Sequence, residues 1–266
     1  MVLKPPLKWA GGKRWLVPKL LSLWQQYPDY AKNRMVEPFC GGLSVSLGVL
    51  PERALLNDVN PHLINFYKQL QDGLRFKISM KAGTENYYAN RTKFNDLINK
   101  GKAETGLAAQ LFYYLNKTCY NGLCRFNSSG LFNVPFGQYA RVSNGFNPAD
   151  YSVAMKRWIF SCVDFSKIKL RDSDFVYADP PYDSEKITAF TKYSKDDFRW
   201  EDQVRLVDWL ALHNGPVVLS NQATDRIVKL YKGAGYQCEL FQAPRMISCD
   251  GNRRRAVEVL AIRNLP

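Results

Sequence analysis

Met35-Val36-Glu37-Pro38-Phe39-Cys40-Gly41-Gly42, continued by Leu43 to Leu50 and then by Arg53-Ala54-Leu55-Leu56-Asn57-Asp58, decides the fold. The first run reads as a short strand entering a glycine turn, the second as a helix, the third as another strand ending in an acid. This order is a βαβ unit, which implies a parallel sheet. The glycine pair lets the backbone come close to a ligand. Asp58, 17 residues after Gly41, stands where an acid would bond the ribose hydroxyls of a nucleoside. Glu37 reads either as facing the same site or as a surface acid.

Leu43 and Ser44 follow the glycine pair, so the pattern is not G-x-G-x-x-G and offers no pyrophosphate loop. A sulfonium-bearing nucleoside without phosphates suits these residues better than a dinucleotide. Upstream, Lys8-Trp9-Ala10-Gly11-Gly12-Lys13 precedes an amphipathic helix over residues 14–26. Free backbone N–H groups there could hold a carboxylate, with Trp9 as a packing wall. Taken alone, the same stretch reads more simply as a glycine-rich lead-in to a surface helix with a core tryptophan.

Downstream, Asn60-Pro61 starts a helix with Asn60 as its cap. The pattern stays helical to about Lys117. Residues 118–140 then lose helical periodicity, and Leu123-Cys124-Arg125-Phe126 and Leu131-Phe132-Asn133-Val134 flank Asn127-Ser128-Ser129-Gly130 as a β-hairpin. Strand–helix alternation resumes at Trp158-Ile159-Phe160-Ser161-Cys162. It continues through a strand at 175–178, a helix near 197–213, the strand Pro216 to Ser220, and two late strands near 237–242 and 256–262 that pair as a hairpin. Residues 1–59 and 146–266 are expected to form an α/β core, interrupted by an inserted helical, basic segment at 60–145.

The strand Phe175-Val176-Tyr177-Ala178 ends in Asp179-Pro180-Pro181-Tyr182. A carboxylate, proline carbonyls kept out of a helix, and an aromatic face together can hold a flat amine. A strand-ending Asp before a diproline turn is the plainer reading of these four residues by themselves.

The chain carries 37 basic against 24 acidic residues in 266, a formal charge of +13. Such a balance attracts polyanions, nucleic acid foremost. No apolar run approaches the ~20 residues that span a bilayer, and Met1 to Pro6 lacks a signal-peptide core, so a cytoplasmic protein is expected. Six cysteines (40, 119, 124, 162, 238 and 249) form no paired framework. His62 and His213 lie far from Cys119 and Cys124, so no metal site is expected.

Taken together, KWAGGK at 8–13, VEPFCGGLSV at 36–45, DVN at 58–60, LNKTCYNGLCRFNSSGLFNVPFGQY at 115–139, Val163-Asp164-Phe165, YADPPY at 177–182 and Leu219-Ser220-Asn221 resemble the DNA adenine N6-methyltransferases, specifically the Dam group of bacteria and phages. The resemblance covers nearly the whole chain. One departure is Leu43, where the family's Phe-x-Gly-x-Gly has its second glycine. Thr118-Cys119 also replace residues expected to be bulkier or glycine.

The resemblance implies a Rossmann-like S-adenosylmethionine-dependent sheet with an inserted DNA-recognition domain, acting on double-stranded DNA; a monomer is the default expectation. It implies cofactor contacts from Trp9, Ala10, Gly11, Lys13, Glu37, Pro38, Phe39, Cys40, Gly41, Gly42, Ser44, Asp58, Asp164, Phe165 and Asp179. Asp58 would take the ribose hydroxyls and Asp164 the adenine amine. Asp179, Pro180, Pro181 and Tyr182 would do the chemistry on a flipped adenine. Arg125 has the fork to read guanine, and Leu123 and Pro135 could pack on a thymine methyl. The resemblance adds Lys8, Tyr120, Asn121, Asn133 and Arg141 as DNA contacts, and GATC as the recognised site. Arg253-Arg254-Arg255 reads equally as a phosphate contact or a solvated turn. The rival functions are a cytosine-N4 enzyme, a DNA-binding module without catalysis and, more distantly, a nicotinamide dehydrogenase.

Overall fold

The computed structural model describes residues 3–142, 146–183, 198–243 and 256–265. Arg253-Arg254-Arg255 and Cys249 lie outside them. Among the described residues, seven strands form one sheet in the order β3-β2-β1-β4-β5-β7-β6: β1 (Arg34–Glu37), β2 (Arg53–Asn57), β3 (Trp158–Ser161), β4 (Phe175–Ala178), β5 (Val217–Gln222), β6 (Gln237–Ala243) and β7 (Ala256–Arg263). The first five pair in parallel, and β7 runs antiparallel to both β5 and β6. Strand order reverses direction between β1 and β4, which opens a crevice at their carboxyl ends.

Those two strands are tied at their other ends. Arg34 at the start of β1 forks onto Asp174 just before β4, with Nε to Oδ1 at 2.9 Å and Nη2 to Oδ2 at 2.6 Å. Asp174 is fully buried, so removing either partner alone would cost about 3–5 kcal/mol. At the carboxyl ends, Asn57 Nδ2 donates to the carbonyls of Pro38 (3.0 Å) and Val163 (2.9 Å). One side chain thus holds the loops after β1, β2 and β3 in register.

The helices follow the expected order. A 3₁₀ turn (Arg14–Leu16) leads into α1 (Val17–Gln26), and α2 (Ser46–Val49) is shorter than the predicted 43–50. Its lead-in residue Leu43 has φ +59° and a fully buried side chain. Leu43 therefore adopts the backbone form that suits glycine while its side chain fills the core.

α3 (Pro61–Gln71) is capped by Asn60, whose Oδ1 accepts from the N–H groups of His62 and Leu63. α4 (Thr84–Asn99) and α5 (Gly106–Thr118) complete the helical stretch between β2 and β3. These helices are not detached from the sheet. Phe66, Tyr67, Leu111 and Tyr114 share one core with Leu43 and Leu47, with Ala54 and Leu56 of β2, and with Trp158 and Phe160 of β3. The remaining helices are α6 (Pro148–Ala154), α7 (Trp200–Ala211) and α8 (Asp225–Gly233). α7 and α8 pack through Leu206, Leu210, Ile227 and Tyr231 against Val36, Val176 and Val217.

Leu43 offers a contest of two effects. A left-handed backbone costs a non-glycine residue about 1–2 kcal/mol, whereas removing a buried leucine side chain costs about 2–5 kcal/mol. Burial should win. Leu43→Gly is expected to lower the thermal midpoint by roughly 5 °C; an unchanged or raised midpoint in a calorimetric scan would show that backbone strain dominates here.

Candidate active site and nucleic-acid interface

Parallel β1 and β4, as neighbours, bring the glycine turn and the Asp179–Tyr182 turn to one cavity of about 390 Å³. Trp9 to Lys13, Glu37, Phe39 to Gly42, Ser44, Asp58, and Asp179 to Tyr182 all line it. Three motifs separated by up to 170 residues therefore converge. Pro38 sits beside the cavity, with its carbonyl held by Asn57.

The turn is shaped around Trp9. A Cβ placed on Gly41 would lie 2.8 Å from the Trp9 indole nitrogen, and one on Gly42 would lie 2.7 Å from Trp9 Cβ. Any larger residue would displace the indole. Asp58 is held by the Gly41 and Asn60 N–H groups at 3.2 and 2.9 Å. Burial nevertheless raises its carboxyl above the ordinary value. Glu37 is 3% exposed and accepts from Ser46 Oγ. Burial is the main cause that pushes its pKa up to about 8, with the nearby Asp179 adding to it. This acid faces the cavity, which settles between the two sequence readings.

Asp179 accepts from two sides. Ser220 Oγ donates to Oδ1 at 2.8 Å, and Lys13 Nζ meets Oδ2 at 3.0 Å. Tyr177 backs Ser220 at 2.8 Å. Burial raises the Asp179 carboxyl and the Lys13 charge opposes that rise. Lys13 also donates to the Tyr182 hydroxyl and sits 4.5 Å from the centre of its ring. Among the described residues no donor reaches the Pro180 carbonyl, whereas that of Pro181 accepts from Gln203 Nε2 at 2.9 Å. Beyond the turn, Asp183 is buried and paired with Arg226, which anchors the chain leaving Tyr182.

Asp164 and Phe165 stand apart from this cluster. Asp164 is bonded by Arg205 through Nη1 at 2.7 Å and Nη2 at 3.0 Å, and that guanidinium holds its carboxyl well below the usual range. Neither residue is in the cavity lining. Phe165 is buried and meets Phe39 with ring centres 5.6 Å apart, so it supports the turn from behind.

The expected hairpin is present in an irregular form. Antiparallel bridges join Cys119 to Phe136 and Phe126 to Phe132, with no continuous ladder among the described residues. α4 supplies what the ladder lacks. Tyr87 Oη and Arg91 Nη1 donate to the Val134 carbonyl at 2.7 and 3.2 Å. Asn95 exchanges two hydrogen bonds with the Phe132 backbone, at 3.1 and 2.9 Å. These three residues recur every four positions, which places them on one helix face. Their period was visible in the sequence, but as polar residues on a helix they carried no sign of what they hold.

On this frame Arg125 is tethered by Asn133, with Nε to Oδ1 at 2.8 Å and Nη2 to the carbonyl at 3.4 Å. Tyr120 is 53% exposed and its N–H bonds the Pro135 carbonyl at 2.9 Å. Asn121 has φ +52° and begins a tight corner with Gly122. Lys8 packs against that corner so closely that a Cβ on Gly122 would lie 2.4 Å from Lys8 Cβ. Its backbone is clasped by Asn116, which accepts from the Lys8 N–H and donates to its carbonyl, both at 2.8 Å. Lys8 Nζ lies 3.8 Å from the centre of the Tyr139 ring. Leu123 is half-buried, and Pro135 and Arg141 are exposed. Asn116, Tyr87, Arg91, Asn95 and Ser220 are the positioning residues that sequence reading assigned no role.

Among the described residues, no helix is long and apolar enough to cross a membrane and no group of three potential metal-binding side chains comes together.

A family model for the D12 class N6 adenine-specific DNA methyltransferases matches residues 9–243. Similar proteins include the Type II methyltransferase M.MjaIII of Methanocaldococcus jannaschii, 33% identical with 96% of both chains covered. The DNA adenine methylase of Escherichia coli (strain K12) is 34% identical across 96% of this chain and 92% of that protein. The DNA N-6-adenine-methyltransferase of Escherichia phage P1 is 34% identical over 96% of this chain, which spans 35% of the phage protein's length. Among solved structures, a precorrin-6y C5,15-methyltransferase from Geobacter metallireducens GS-15 aligns at 11% identity with a TM-score of 0.40, over 94% of this chain and 87% of that one. With the family's motifs gathered around one crevice and its model matched across most of the sequence, the chain belongs to the D12 class N6 adenine-specific DNA methyltransferases.

Proposed function

We propose that this adenine-N6 methyltransferase acts within GATC in duplex DNA, with residues 60–145 as the reading segment and Asp179 as the acceptor that prepares the target amine. The carrying observation is the Asp179–Tyr182 turn facing the glycine turn in one cavity. Family membership sets the target as adenine N6 rather than cytosine N4.

S-adenosylmethionine is the methyl donor of this family and supplies a methyl group activated on a sulfonium. The cavity suits such a cationic, phosphate-free nucleoside. Among the described residues its lining holds the carboxyls Glu37, Asp58 and Asp179 and one cation, Lys13, which is itself paired with Asp179. Asp58 is suited to the ribose hydroxyls, Trp9 and Phe39 to the apolar parts, and Glu37 to the ammonium. Ala10 and Gly11 offer exposed backbone at the rim. Asp164 is suited to the adenine amine, with Phe165 adjoining the cavity wall through its contact with Phe39.

The lone pair of adenine N6 is delocalised into the ring, so the amine is a poor nucleophile. Asp179 and the unengaged Pro180 carbonyl would accept its two N–H bonds and draw that lone pair out of conjugation. Alignment and electrostatics then suffice for direct transfer without a covalent enzyme intermediate. The base must leave the duplex to reach the crevice, with Tyr182 offering its ring face. Tyr120, exposed at the corner beside Asn121, would wedge into the stack it leaves.

Arg125 would read a guanine and Lys8 a second one. Leu123 and Pro135 would flank a thymine methyl, with Arg141 near the backbone. The tether from Asn133 limits the freedom of the Arg125 fork, which lowers the cost of holding it against a base edge.

Three outcomes test this reading. Asp179→Ala should slow methyl transfer about 10²- to 10³-fold while DNA affinity in a filter-binding titration stays within about threefold of the parent. Nucleoside mass spectrometry on duplexes with and without GATC should find N6-methyladenine in the first alone. Arg125→Ala should lose about 1–3 kcal/mol of that discrimination; equal methylation of both duplexes by the parent protein would remove GATC.

Glu37 gives a pH test. Its folded pKa of about 8 lies above the ordinary value of 4.5, so the folded state holds a proton that the unfolded state releases. Stability from this group is full below pH 4.5 and falls as pH rises through about 8. Glu37→Gln should flatten that decline in thermal midpoints. At pH 7, calorimetry across buffers of different ionisation enthalpy should detect a proton released as S-adenosylmethionine binds the parent, and none with the variant.

A further inference from the structure

Glu258 is a buried acid that the reaction as described above does not use. It stands on β7 opposite Gln222 of β5, inside the apolar run Ala256-Val257-Glu258-Val259-Leu260-Ala261-Ile262. Alternation puts it on the strand face shared with Leu260, which packs with Leu16 just after Lys13. Its Oε2 is buried without a hydrogen-bond partner among the described residues. Among the described residues its ion-pair partner is Lys13, with Nζ 3.8 Å away, a distance too long for a hydrogen bond.

The reason for the gap is visible at Lys13. An ammonium has three donors. Those of Lys13 meet the Gly11 carbonyl at 3.2 Å, the Tyr182 hydroxyl and Asp179 Oδ2 at 3.0 Å. Glu258 is left as an unfilled acceptor beside a filled one. Ser220 takes one acceptor site on Asp179 Oδ1 and the Lys13 ammonium sits on Oδ2, so Lys13 occupies part of the carboxylate that a target amine would approach.

We propose that Glu258 is a positioning residue: it draws the Lys13 ammonium off Asp179 as the adenine amine arrives, freeing Oδ2 to accept from N6. The transfer requires a movement of about 1 Å to reach ordinary charge-assisted bonding distance. Lys13 stays paired throughout, so no buried charge is stranded. With Lys13 on Glu258, Asp179 becomes a stronger acceptor, and the cation no longer sits between the carboxylate and the reacting amine. Buried near these groups, Glu37 keeps to Ser46 and does not compete for Lys13 among the contacts described. The inference rests on Asp179 as the acceptor of the target amine.

A double-mutant cycle tests it. Single-turnover methyl transfer to unmethylated genomic DNA, at saturating S-adenosylmethionine, is measured for the parent, Glu258→Gln, Lys13→Met and the double variant. Glu258→Gln should be about tenfold slower than the parent, yet should change the rate by less than about twofold in the Lys13→Met background. A rate for Glu258→Gln within about twofold of the parent would overturn the proposal. So would an equal loss in both backgrounds, with a lowered melting temperature, since that assigns Glu258 to strand packing alone. Asp179→Asn is run alongside: an undiminished rate there would strike the amine-acceptor reading itself, an outcome distinct from either of the others.

Discussion

Parallel pairing of Met35 and Val36 with Phe175 and Val176 is the constraint on which the site depends. Those strands are separated by almost 140 residues, and nothing local brings them together. Once they are adjacent, the chain after β1 and the chain after β4 must emerge side by side. The Arg34–Asp174 fork sets this register from the opposite end, and its demand for both partners penalises any slip. A one-residue shift would also send Glu37 to the wrong face of the sheet.

The second organising device is the N-terminal segment at Lys8 and Trp9. Trp9 fills the space that Gly41 and Gly42 leave, while the adjacent Lys8 is clasped by Asn116 and packed on Gly122. Two neighbouring residues thus join the cavity to the corner at Asn121 and Gly122. Asn60 makes a second link, since its N–H bonds Asp58 and its side-chain amide reaches Cys124 of the hairpin at 3.4 Å. The hairpin and the crevice therefore share supports. Rigid mutual placement of this kind is what direct transfer between two bound groups requires.

Electrostatically, the cavity contrasts with the rest of the protein. A chain of charge +13 concentrates carboxyls at its reactive crevice. A net positive charge favours a polyanion such as DNA, whereas a cavity lined by carboxyls favours cationic groups. Lys13 is the counterweight, shared among Asp179, Tyr182 and Glu258. Burial raises the carboxyls of Glu37, Asp58 and Asp179 alike.

The amino-acid sequence by itself determined the βαβ order, the glycine turn, the acid at Asp58, and the Asp179–Tyr182 turn. Each is a local matter of periodicity, turn chemistry and residue type. It also determined Asn60 as a cap, because capping needs only neighbours along the chain. The tertiary structure alone decided that Glu37 faces the cavity, that Asp164 is held by Arg205, and that Leu43 takes a glycine-like backbone under a buried side chain. It alone showed that Tyr87, Arg91 and Asn95 hold the hairpin, and that Glu258 lies beside Lys13. The physical reason is common to all of these: each depends on a partner from a distant element, and burial converts an ordinary polar side chain into a structural or chemical part only when that partner arrives.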